Sequence, residues 1–462
     1  HQNLNYQNLI SLKLIFFDQC KNCNNNIKEV CKNSEINLKS LNDYVDKGVN
    51  QRALDFIDKN YNSFDDKILY KGINISEHAY STTIRVLLRG SLDEQDPFSI
   101  ELYKRYLISA YILIDNLENF FKKNKVDRIV AVHGIYLEHG ILCDFAVKNN
   151  IPVIIWGTPY RKNCIYAAHN DTYHRELINE DNSAWESIIL DDKMNSKLEN
   201  YLGSKLSGGR DNVNYHPNPI IDKKKLIEEI NLDPKKPIVS LFTNVLWDAQ
   251  IFYESNAFDN MLDWINYTIE KFSNLKNLQL VIRIHPAESK AGLTTNQPLE
   301  KEILSRFEKI PSNVTIVPPE SNISSYTLAD ISVSSLVYGT NMALEIAIRG
   351  IPLIIVGECC SRGKGFSYDI KTKAEYDEIL NRVSDLKKPN QDQILMAKKY
   401  AYHLFFRRMI DFNVYDTPIS GKTISRQAKF NFNSEDQLLD SSLEGLDIFC
   451  NGIINLEKFV KL

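Results

Sequence analysis

The sequence predicts an α/β protein with two Rossmann-like, doubly wound domains that face each other across a cleft. Apolar runs of strand length alternate with segments of helical periodicity in both halves, a pattern typical of parallel sheets covered by helices. The length of 462 residues is sufficient for two separate cores. Between the halves, residues 204–219 are polar and rich in Gly and Pro, which predicts a linker.

The first half, residues 1–215, is predicted to form one domain with a helical insertion. Its strand–helix–strand pattern indicates a parallel βαβ unit. The predicted strands span residues 12–18, 128–133 and 153–156. The predicted helices lie within residues 38–125, with the longest at 99–125, and at 138–149.

The second half, residues 216–395, alternates more regularly and is predicted to form the second doubly wound domain. Its predicted strands span residues 238–243, 278–284, 314–317, 331–333 and 353–356. Its predicted helices span residues 223–230, 256–272, 299–310 and 324–329. Residues 396–462 are predicted to form C-terminal helices, at 395–412 and 434–462, that cross back to the first domain.

The composition is that of a soluble globular protein, with 43% apolar and 25% charged residues. A net charge of −4 provides no general attraction for nucleic acid. Neither a signal peptide nor a run of about 20 apolar residues is present, so no membrane span is predicted. The eight Cys are scattered, and Cys20, Cys23 and Cys31 lack a fourth ligand at zinc-like spacing. Reduced cytosolic thiols are therefore expected.

Residues 330–357 form the most informative stretch, because they predict a strand, a polar turn, a helix and a second strand. The turn contains Gly339, Thr340 and Asn341, and the free N–H groups of a helix N-terminus there would bind an anion. Glu345 lies one helical turn further on, where a carboxylate would accept hydrogen bonds from ribose hydroxyls. The alternative is an ordinary βαβ unit with a solvated Glu.

Other predicted strands of the second half also end in polar residues. These residues are Asn244, Arg283 with His285, the pair Ser334 and Ser335, and Lys364 in the loop after the last strand. Carboxyl ends of parallel strands meet at one edge of a sheet, so these side chains are predicted to surround a nucleotide phosphate. For His285-Pro286 alone, the simpler interpretation is a strand terminator.

The strand ends of the first half are rich in His and aromatic residues. Candidates for acid–base chemistry are His133, Glu138, His139 and Asp171. Their spacing does not match that of zinc ligands, so no metal site is predicted.

The motifs resemble those of known sugar-transfer enzymes. The segment from Gly339 through Glu345 to Pro352 is similar to the donor-site helix of GT-B glycosyltransferases, and His285-Pro286 and Ser334-Ser335 resemble motifs of bacterial sialyl- and Kdo-transferases. Residues 362–369 and 133–174 resemble the bacterial capsule-polysaccharide-biosynthesis family. One departure is the absence of the acidic Asp/Glu-Asp/Glu-Gly motif, which leaves the catalytic base open among His139, His133, Glu138 and Asp171.

The resemblance implies a GT-B glycosyltransferase that moves a sugar from a nucleotide-activated donor to a glycan or glycolipid acceptor, with inversion and without a metal or other cofactor. It implies a bacterial surface-polysaccharide pathway and a cytoplasmic location, at the inner face of the plasma membrane if the enzyme is peripheral. Alternatives with the same architecture are a nucleotide-sugar 2-epimerase, a teichoic-acid-type polyol-phosphate transferase, and a non-catalytic partner in a polysaccharide assembly complex.

Overall fold

The computed structural model describes residues 28, 31–32, 36–207, 211, 219–248, 253, 256–290, 294–416, 419–420, 423–424, 429–432, 435–439 and 443–462. The predicted strand at residues 12–18, Cys20, Cys23 and the predicted domain boundary at 215/216 lie outside these residues.

Strands and helices alternate along most of the described chain. The strands are β1 (Leu69–Tyr70), β2 (Ile73–Asn74), β3 (Ile129–Val132), β4 (Val153–Gly157), β5 (Cys164–His169), β6 (Ile238–Phe242), β7 (Gln279–Arg283), β8 (Val314–Val317), β9 (Ser334–Val337), β10 (Leu353–Ile355), β11 (Tyr368–Asp369), β12 (Ile410–Asp411), β13 (Tyr415–Asp416), β14 (Ile419–Ser420), β15 (Thr423–Ile424) and β16 (Lys429–Phe430). The α-helices are α1 (Val49–Asn60), α2 (Ile75–Leu87), α3 (Pro97–Lys123), α4 (Leu137–Lys148), α5 (Tyr173–Asn179), α6 (Asp192–Ser207), α7 (Lys223–Glu229), α8 (Met261–Phe272), α9 (Ala287–Lys290), α10 (Leu299–Arg306), α11 (Ser325–Asp330), α12 (Met342–Ile348), α13 (Lys373–Asn381), α14 (Gln391–Tyr402) and α15 (Glu444–Ile454).

The second half contains a six-stranded parallel sheet in the order β11-β10-β9-β6-β7-β8. The chain starts at the central strand β6, proceeds to one edge through β7 and β8, and then returns to β9 beside β6. This is the doubly wound Rossmann order, and it confirms the predicted α/β class. In such sheets a ligand binds where the strand order reverses, outside the carboxyl ends of the two central strands. Here that point lies beyond β6 and β9.

The first half has a smaller, mixed sheet in the order β12-β5-β4-β3. Strands β3 and β4 are parallel and joined through α4, as predicted, but β5 is antiparallel to β4, with Trp156 opposite Ala167. Residues 164–169 were not predicted as a strand. Because the connection at residues 158–163 is short, it allows an antiparallel return but not the crossover that a parallel strand requires.

The C-terminal segment returns to the first sheet, where β12 pairs with β5 through Ile410 and Ile165. The helix predicted at 395–412 is α14 followed by a π-helical turn at His403–Arg408 and then β12. Arg408 donates a hydrogen bond to Glu180 of the first half at 3.1 Å. The last segment of the described chain therefore connects the two sheets.

Helices α1 to α4 form a separate apolar layer over the first sheet. Their core includes Ile57, Ile75, Tyr103, Leu107 and Ile141, all buried. The apolar spacing in α3 places Tyr103, Leu107, Ala110, Ile114 and Leu117 on its buried face. This layer supports the loop between β3 and α4, which lies at the cleft.

Candidate active site at the interdomain cleft

Asn244 and Gly339 span the point where the strand order reverses. The Asn244 side-chain amide donates a hydrogen bond to the Gly339 carbonyl at 2.5 Å. The Asn244 Oδ1 atom is buried and has no hydrogen-bond partner among the described residues. Because an unsatisfied buried acceptor costs free energy, this oxygen is a position where a ligand donor would be stabilising.

His285 follows β7 at the same edge of the sheet. Its backbone N–H donates to the Thr243 hydroxyl at 3.0 Å, and its Nδ1 accepts from the Ala287 N–H at 3.1 Å. Burial lowers the pKa of His285 to about 4, the charge of Arg283 also lowers it, and Asp248 opposes both. The imidazole is therefore neutral near pH 7, and its second ring nitrogen carries the proton.

Thr340 and Asn341 form the turn before α12, as predicted. The Ala343 and Leu344 N–H groups donate to the Thr340 and Asn341 carbonyls at 3.1 and 3.2 Å. The Met342 N–H points at the Thr340 hydroxyl at 3.4 Å. These contacts occupy three of the N–H donors at the helix start, and the anion site predicted there stays a prediction.

Arg283 does not face the pocket, which corrects its predicted phosphate role. Its guanidinium is 1% exposed and donates to the carbonyls of Ile284, Pro318 and Ser321. Burial lowers its pKa to about 10. The side chain of this last strand residue points away from the cleft and fixes the loop after β8.

Ser334 and Ser335 also lie inside the sheet, because β9 begins at Ser334 and not at residue 331 as predicted. Both side chains are fully buried, and the Ser335 hydroxyl is 2.8 Å from that of Ser240 on β6. The hydrogen bond between Ser240 and Ser335 allows these two residues to occupy strand interiors, whereas the buried Ser334 hydroxyl has no partner among the described residues. Their full burial does not support the predicted phosphate contacts.

Lys364 is 3% exposed, and its ammonium donates to the Glu180 carbonyl at 2.7 Å. Burial lowers its pKa, although the charge of Glu180 opposes the shift. The Glu180 carboxylate in turn contacts His403 at 2.9 Å and Arg408 at 3.1 Å. Lys364 therefore connects the two halves of the protein through Glu180. Its ammonium does not have the open position that the predicted phosphate contact requires.

Glu345 forms a buried ion pair with Lys205 at 3.0 Å, which corrects its expected position at an open ribose pocket. Both side chains are less than 10% exposed, at 6% and 8%. The Lys205 ammonium also contacts Asp211 at 2.9 Å and lies 4.8 Å from the ring centre of Tyr160. Burial disfavours the charge, but Glu345 and Asp211 outweigh it, so the pKa of Lys205 is raised.

His133 is the best-placed titratable group of the first half. It ends β3 with φ of 61°, a left-handed conformation that is uncommon outside Gly and frequent at functional sites. Its Nδ1 lies 2.7 Å from the Tyr173 hydroxyl. The ring remains exposed to solvent, yet desolvation by the surrounding cleft lowers its pKa, as do the charges of Arg85 and His139, whereas Asp248 raises it.

The side chains of the other three predicted catalytic residues are held by fewer contacts than that of His133. His139 and Glu138 are exposed on the first turn of α4. Asp171 accepts a hydrogen bond from the adjacent Thr172 N–H at 2.6 Å and lies 3.8 Å from Arg175. Burial raises the pKa of Asp171. Of the four candidates that the sequence left open, His133 therefore has the contacts that best suit a general base.

Several site residues were not among the predicted candidates. Burial lowers the pKa of His133 and His285 and raises that of Tyr136, Tyr173 and Tyr253, and the charge of Asp248, in the loop after β6, acts on all five in the raising direction. The ring centre of His174 lies 4.3 Å from that of Tyr173, with the rings tilted by 42°, and 6.0 Å from that of Tyr253. Asp248 lies in the polar loop after a predicted strand and was detectable from that position, whereas the aromatic contacts depend on the tertiary structure.

Helix α2 holds the His133 loop in place. His78 is buried, with Nδ1 2.7 Å from the Ile135 carbonyl and Nε2 3.0 Å from the Asp144 carboxylate. The Thr82 hydroxyl accepts from the Leu137 N–H at 2.8 Å. Since both contacts are buried, the backbone on either side of Tyr136 is fixed to α2.

Glu288, next to the His285-Pro286 segment, is predicted to make stability pH-dependent. Burial raises its pKa to about 7, while one oxygen accepts from the Leu299 N–H at 3.2 Å. Between about pH 4.5 and 7 the unfolded chain loses this proton and the folded chain keeps it, so the native protein loses up to about 1.4 kcal/mol per pH unit. Glu288→Gln removes this loss, so the variant should gain stability relative to the wild type as pH rises. Urea unfolding of both proteins at pH 5 and pH 8 measures the difference between their free energies of unfolding. An equal difference at the two pH values would contradict the raised pKa of Glu288.

Within the described ranges, no group of three or more His, Cys, Asp or Glu residues is arranged to hold a metal ion. The same residues contain no helix that is both long and apolar enough to cross a membrane.

No protein-family model matches this sequence, and no curated protein matches it. Among solved structures, the chain is similar to KpsC from Thermosulfurimonas dismutans, a beta Kdo 2,4 transferase, with a TM-score of 0.34 and 11% identity over 59% of this chain and 79% of that chain. It is also similar to UDP-GlcNAc 2-epimerase from Neisseria meningitidis, with a TM-score of 0.30 and 12% identity over 67% and 78% of the two chains. A third likeness is to the wall teichoic acid polymerase TagF, with a TM-score of 0.23 and 12% identity over 48% of this chain and 45% of that one. Because these TM-scores and identities are low, the fold is assigned from the strand order of the two sheets.

Proposed function

We propose that this protein is a GT-B glycosyltransferase that moves a sugar from a nucleotide-activated donor to a hydroxyl group of a glycan acceptor, as in surface-polysaccharide synthesis at the cytoplasmic side of the membrane. The observation that carries the proposal is the position of His133 and Tyr173, which share the cleft with Asp248 and His285 from the other half. A side chain that can accept a proton, next to the sheet edge where Rossmann domains bind their ligands, suits the transfer of a sugar between two substrates.

The nucleotide is proposed to bind beyond β6 and β9. Asn244 Oδ1 supplies an acceptor, His285 supplies a neutral imidazole, and the turn from Gly339 to Asn341 supplies backbone close to the ligand. Arg283, Ser335, Glu345 and Lys364 are left out of this site because each is buried in contacts of its own, and Ser334 is left out because its side chain is fully buried in the sheet.

For the transfer step, His133 is proposed as the general base. Its Nε2 takes the proton of the acceptor hydroxyl while the oxygen attacks the anomeric carbon, and the bond from that carbon to the nucleotide phosphate breaks with inversion. The base needs a lone pair on Nε2, so Nδ1–H must donate to the Tyr173 hydroxyl, which accepts at 2.7 Å. The lowered pKa keeps the imidazole neutral near pH 7.

The first test is nucleotide binding by the complete chain. CMP, CDP, UDP and GDP are compared by thermal shift and calorimetry, since a ligand at 100 times its Kd stabilises by about 2.7 kcal/mol. We expect one of them to bind, and Asn244→Ala to weaken that binding by about 0.5–1.5 kcal/mol, the scale of a hydrogen bond between neutral groups, because Asn244 Oδ1 would accept from an uncharged donor of the nucleotide. Asn149→Ala, an exposed asparagine at the end of α4, is the matched control.

The sugar nucleotide of the base that binds is then supplied with glycan acceptors, with and without EDTA. Transfer that persists in EDTA is expected, because no metal is proposed in this site. Loss of transfer in EDTA and its return with Mg²⁺ would reject the metal-free step. Interconversion of the sugar nucleotide without an acceptor would indicate the epimerase, and absence of binding by every nucleotide would reject the proposal.

A further inference from the structure

We propose that Arg85 is an anion-binding residue of the cleft, contributed by the first half, and that it binds a phosphate or carboxylate group of the substrate. The inference deepens the proposed function and rests on it for the identity of the substrate. The anion site itself follows from the contacts of Arg85 and is testable without any transfer reaction.

The guanidinium of Arg85 is held in place without being neutralised. It lies in the last turn of α2, half-buried, with its central carbon 4.4 Å from the ring centre of Trp247 in the loop after β6. Throughout the described part of the chain, no carboxylate pairs with it, whereas neighbouring Arg89 pairs with Asp96 at 3.5 Å. A stacked guanidinium is rigid, and its donors remain available for an anion.

The indole of Trp247 adds a second unsatisfied donor at the same place. Trp247 is 5% exposed, and its Nε1–H has no acceptor among the residues that the structure describes. A buried donor without an acceptor destabilises the protein unless a ligand satisfies it. Arg85 and Trp247 together therefore present donors with no matching acceptor, and an anionic oxygen group is the ligand that complements them.

The two halves of the protein meet around this pair, so its position is fixed. The Leu88 carbonyl, just after α2, accepts hydrogen bonds from the Asn296 N–H at 3.0 Å and the Thr295 hydroxyl at 3.1 Å. The Gly90 N–H donates to the Gln297 side chain at 2.8 Å. The end of α2 is thus attached to the segment that follows His285-Pro286 along the chain.

Arg85 also lies close to the proposed base. Its positive charge lowers the pKa of His133 and Tyr136, while the charge of Asp248 raises both. An anion bound to Arg85 would therefore be adjacent to the group that receives the acceptor proton. Such a location suits either the phosphate of the departing nucleotide or the carboxylate of an acidic sugar, which share the same oxygen chemistry.

Arg85 would also supply positive charge to the site. A departing nucleotide gains negative charge, which cationic donors stabilise. The cations predicted from sequence, Arg283 and Lys364, donate to backbone carbonyls elsewhere, and Lys205 is paired with Glu345. In contrast, Arg85 has no carboxylate partner among the residues that the structure describes, and it contacts the ring of Trp247.

The test compares the wild type with Arg85→Gln and Arg85→Lys in the full chain, with Arg105→Gln as control. Arg105 is exposed on α3 and pairs with Glu101 at 2.8 Å. The probes are inorganic pyrophosphate and galacturonate, measured by calorimetry at two salt concentrations. We expect one probe to bind the wild type and Arg105→Gln equally, and Arg85→Gln at least tenfold more weakly with an unchanged melting temperature. Arg85→Lys should recover part of the affinity, because it restores the charge but not the planar stacking.

The probe that binds identifies the source of the anion. Pyrophosphate alone indicates the nucleotide phosphate, and galacturonate alone indicates a sugar carboxylate. Equal affinity of wild type and Arg85→Gln, or no binding of either probe to the wild type, would overturn the proposal. If pyrophosphate binding depends on Arg85 but no sugar transfer is found, the anion site stands and the transferase proposal falls.

A second readout distinguishes anion binding from a merely structural role. The groups that act on His133 are Arg85, His139 and Asp248, together with the hydrogen-bonded Tyr173 hydroxyl. A bound anion offsets the charge of Arg85, so the pKa of His133, followed by NMR and assigned with His133→Gln, should rise on addition of the binding probe. No rise in the wild type, or an equal rise in Arg85→Gln, would contradict the inference.

Discussion

Replacement of His133 by alanine is expected to lower the kcat of sugar transfer by about 10²–10⁴-fold, the usual contribution of a general base. Nucleotide affinity should change little, because Asn244 and the Gly339 turn lie on the other half of the protein. Single-turnover rates, nucleotide Kd and melting temperature, measured on the same variant, separate these effects.

Two matched variants make this test specific to the imidazole. His133→Gly removes the same ring but suits the left-handed backbone, φ 61°, so it should be as inactive as the alanine variant and at least as stable. His139→Ala changes an exposed histidine six residues away and should retain the rate. Full activity of His133→Gly, or loss of activity in His139→Ala alone, would move the base to another residue.

Tyr173→Phe provides the finer control. The hydroxyl group lies 2.7 Å from His133 Nδ1, and in the proposed step it accepts from Nδ1–H so that Nε2 is unprotonated. We expect its removal to lower kcat by less than the loss of His133 does. In the double variant, Tyr173→Phe should add little to His133→Ala, because both changes act through one imidazole.

Replacement of Lys205 by methionine is expected to destabilise the protein by about 3–5 kcal/mol, since it leaves the Glu345 carboxylate buried without its partner. Burial of both groups, at 8% and 6% exposure, makes this pair different from a surface ion pair. Urea unfolding measures the loss. Adding Glu345→Gln should restore part of the stability, because the uncompensated charge is then removed.

The control for this pair is Lys398→Met, which breaks a contact of 3.4 Å to Glu199 whose side chain is 66% exposed. A surface pair contributes only about 0–1 kcal/mol, so this variant should be nearly as stable as the wild type. Equal, small effects of Lys205→Met and Lys398→Met would show that Glu345 is not held by Lys205. They would also reopen the ribose contact that the sequence predicted for Glu345.

The regular elements of the second half followed closely from the sequence. Strand β8 lies where it was predicted, at residues 314–317, while β6 is one residue shorter than predicted at its carboxyl end and β7 is one residue shorter at each end. Strands buried on both faces require continuous apolar runs, so their positions are visible in the chain itself. The predicted strand at 331–333 was wrong, because Ile331 caps α11 and the hydroxyls of Ser240 and Ser335 satisfy each other inside the sheet.

The sequence by itself determined the α/β class, the division into two units and the strand ends near which polar residues gather. Only the tertiary structure decided which of those residues face the cleft. A strand side chain points to one face or the other according to the register of its neighbours, so Arg283 turned away while Asn244 remained at the ligand edge. Pairings distant in sequence, such as Lys205 with Glu345 and Arg85 with Trp247, depend on how the two units pack, and no local pattern encodes that contact.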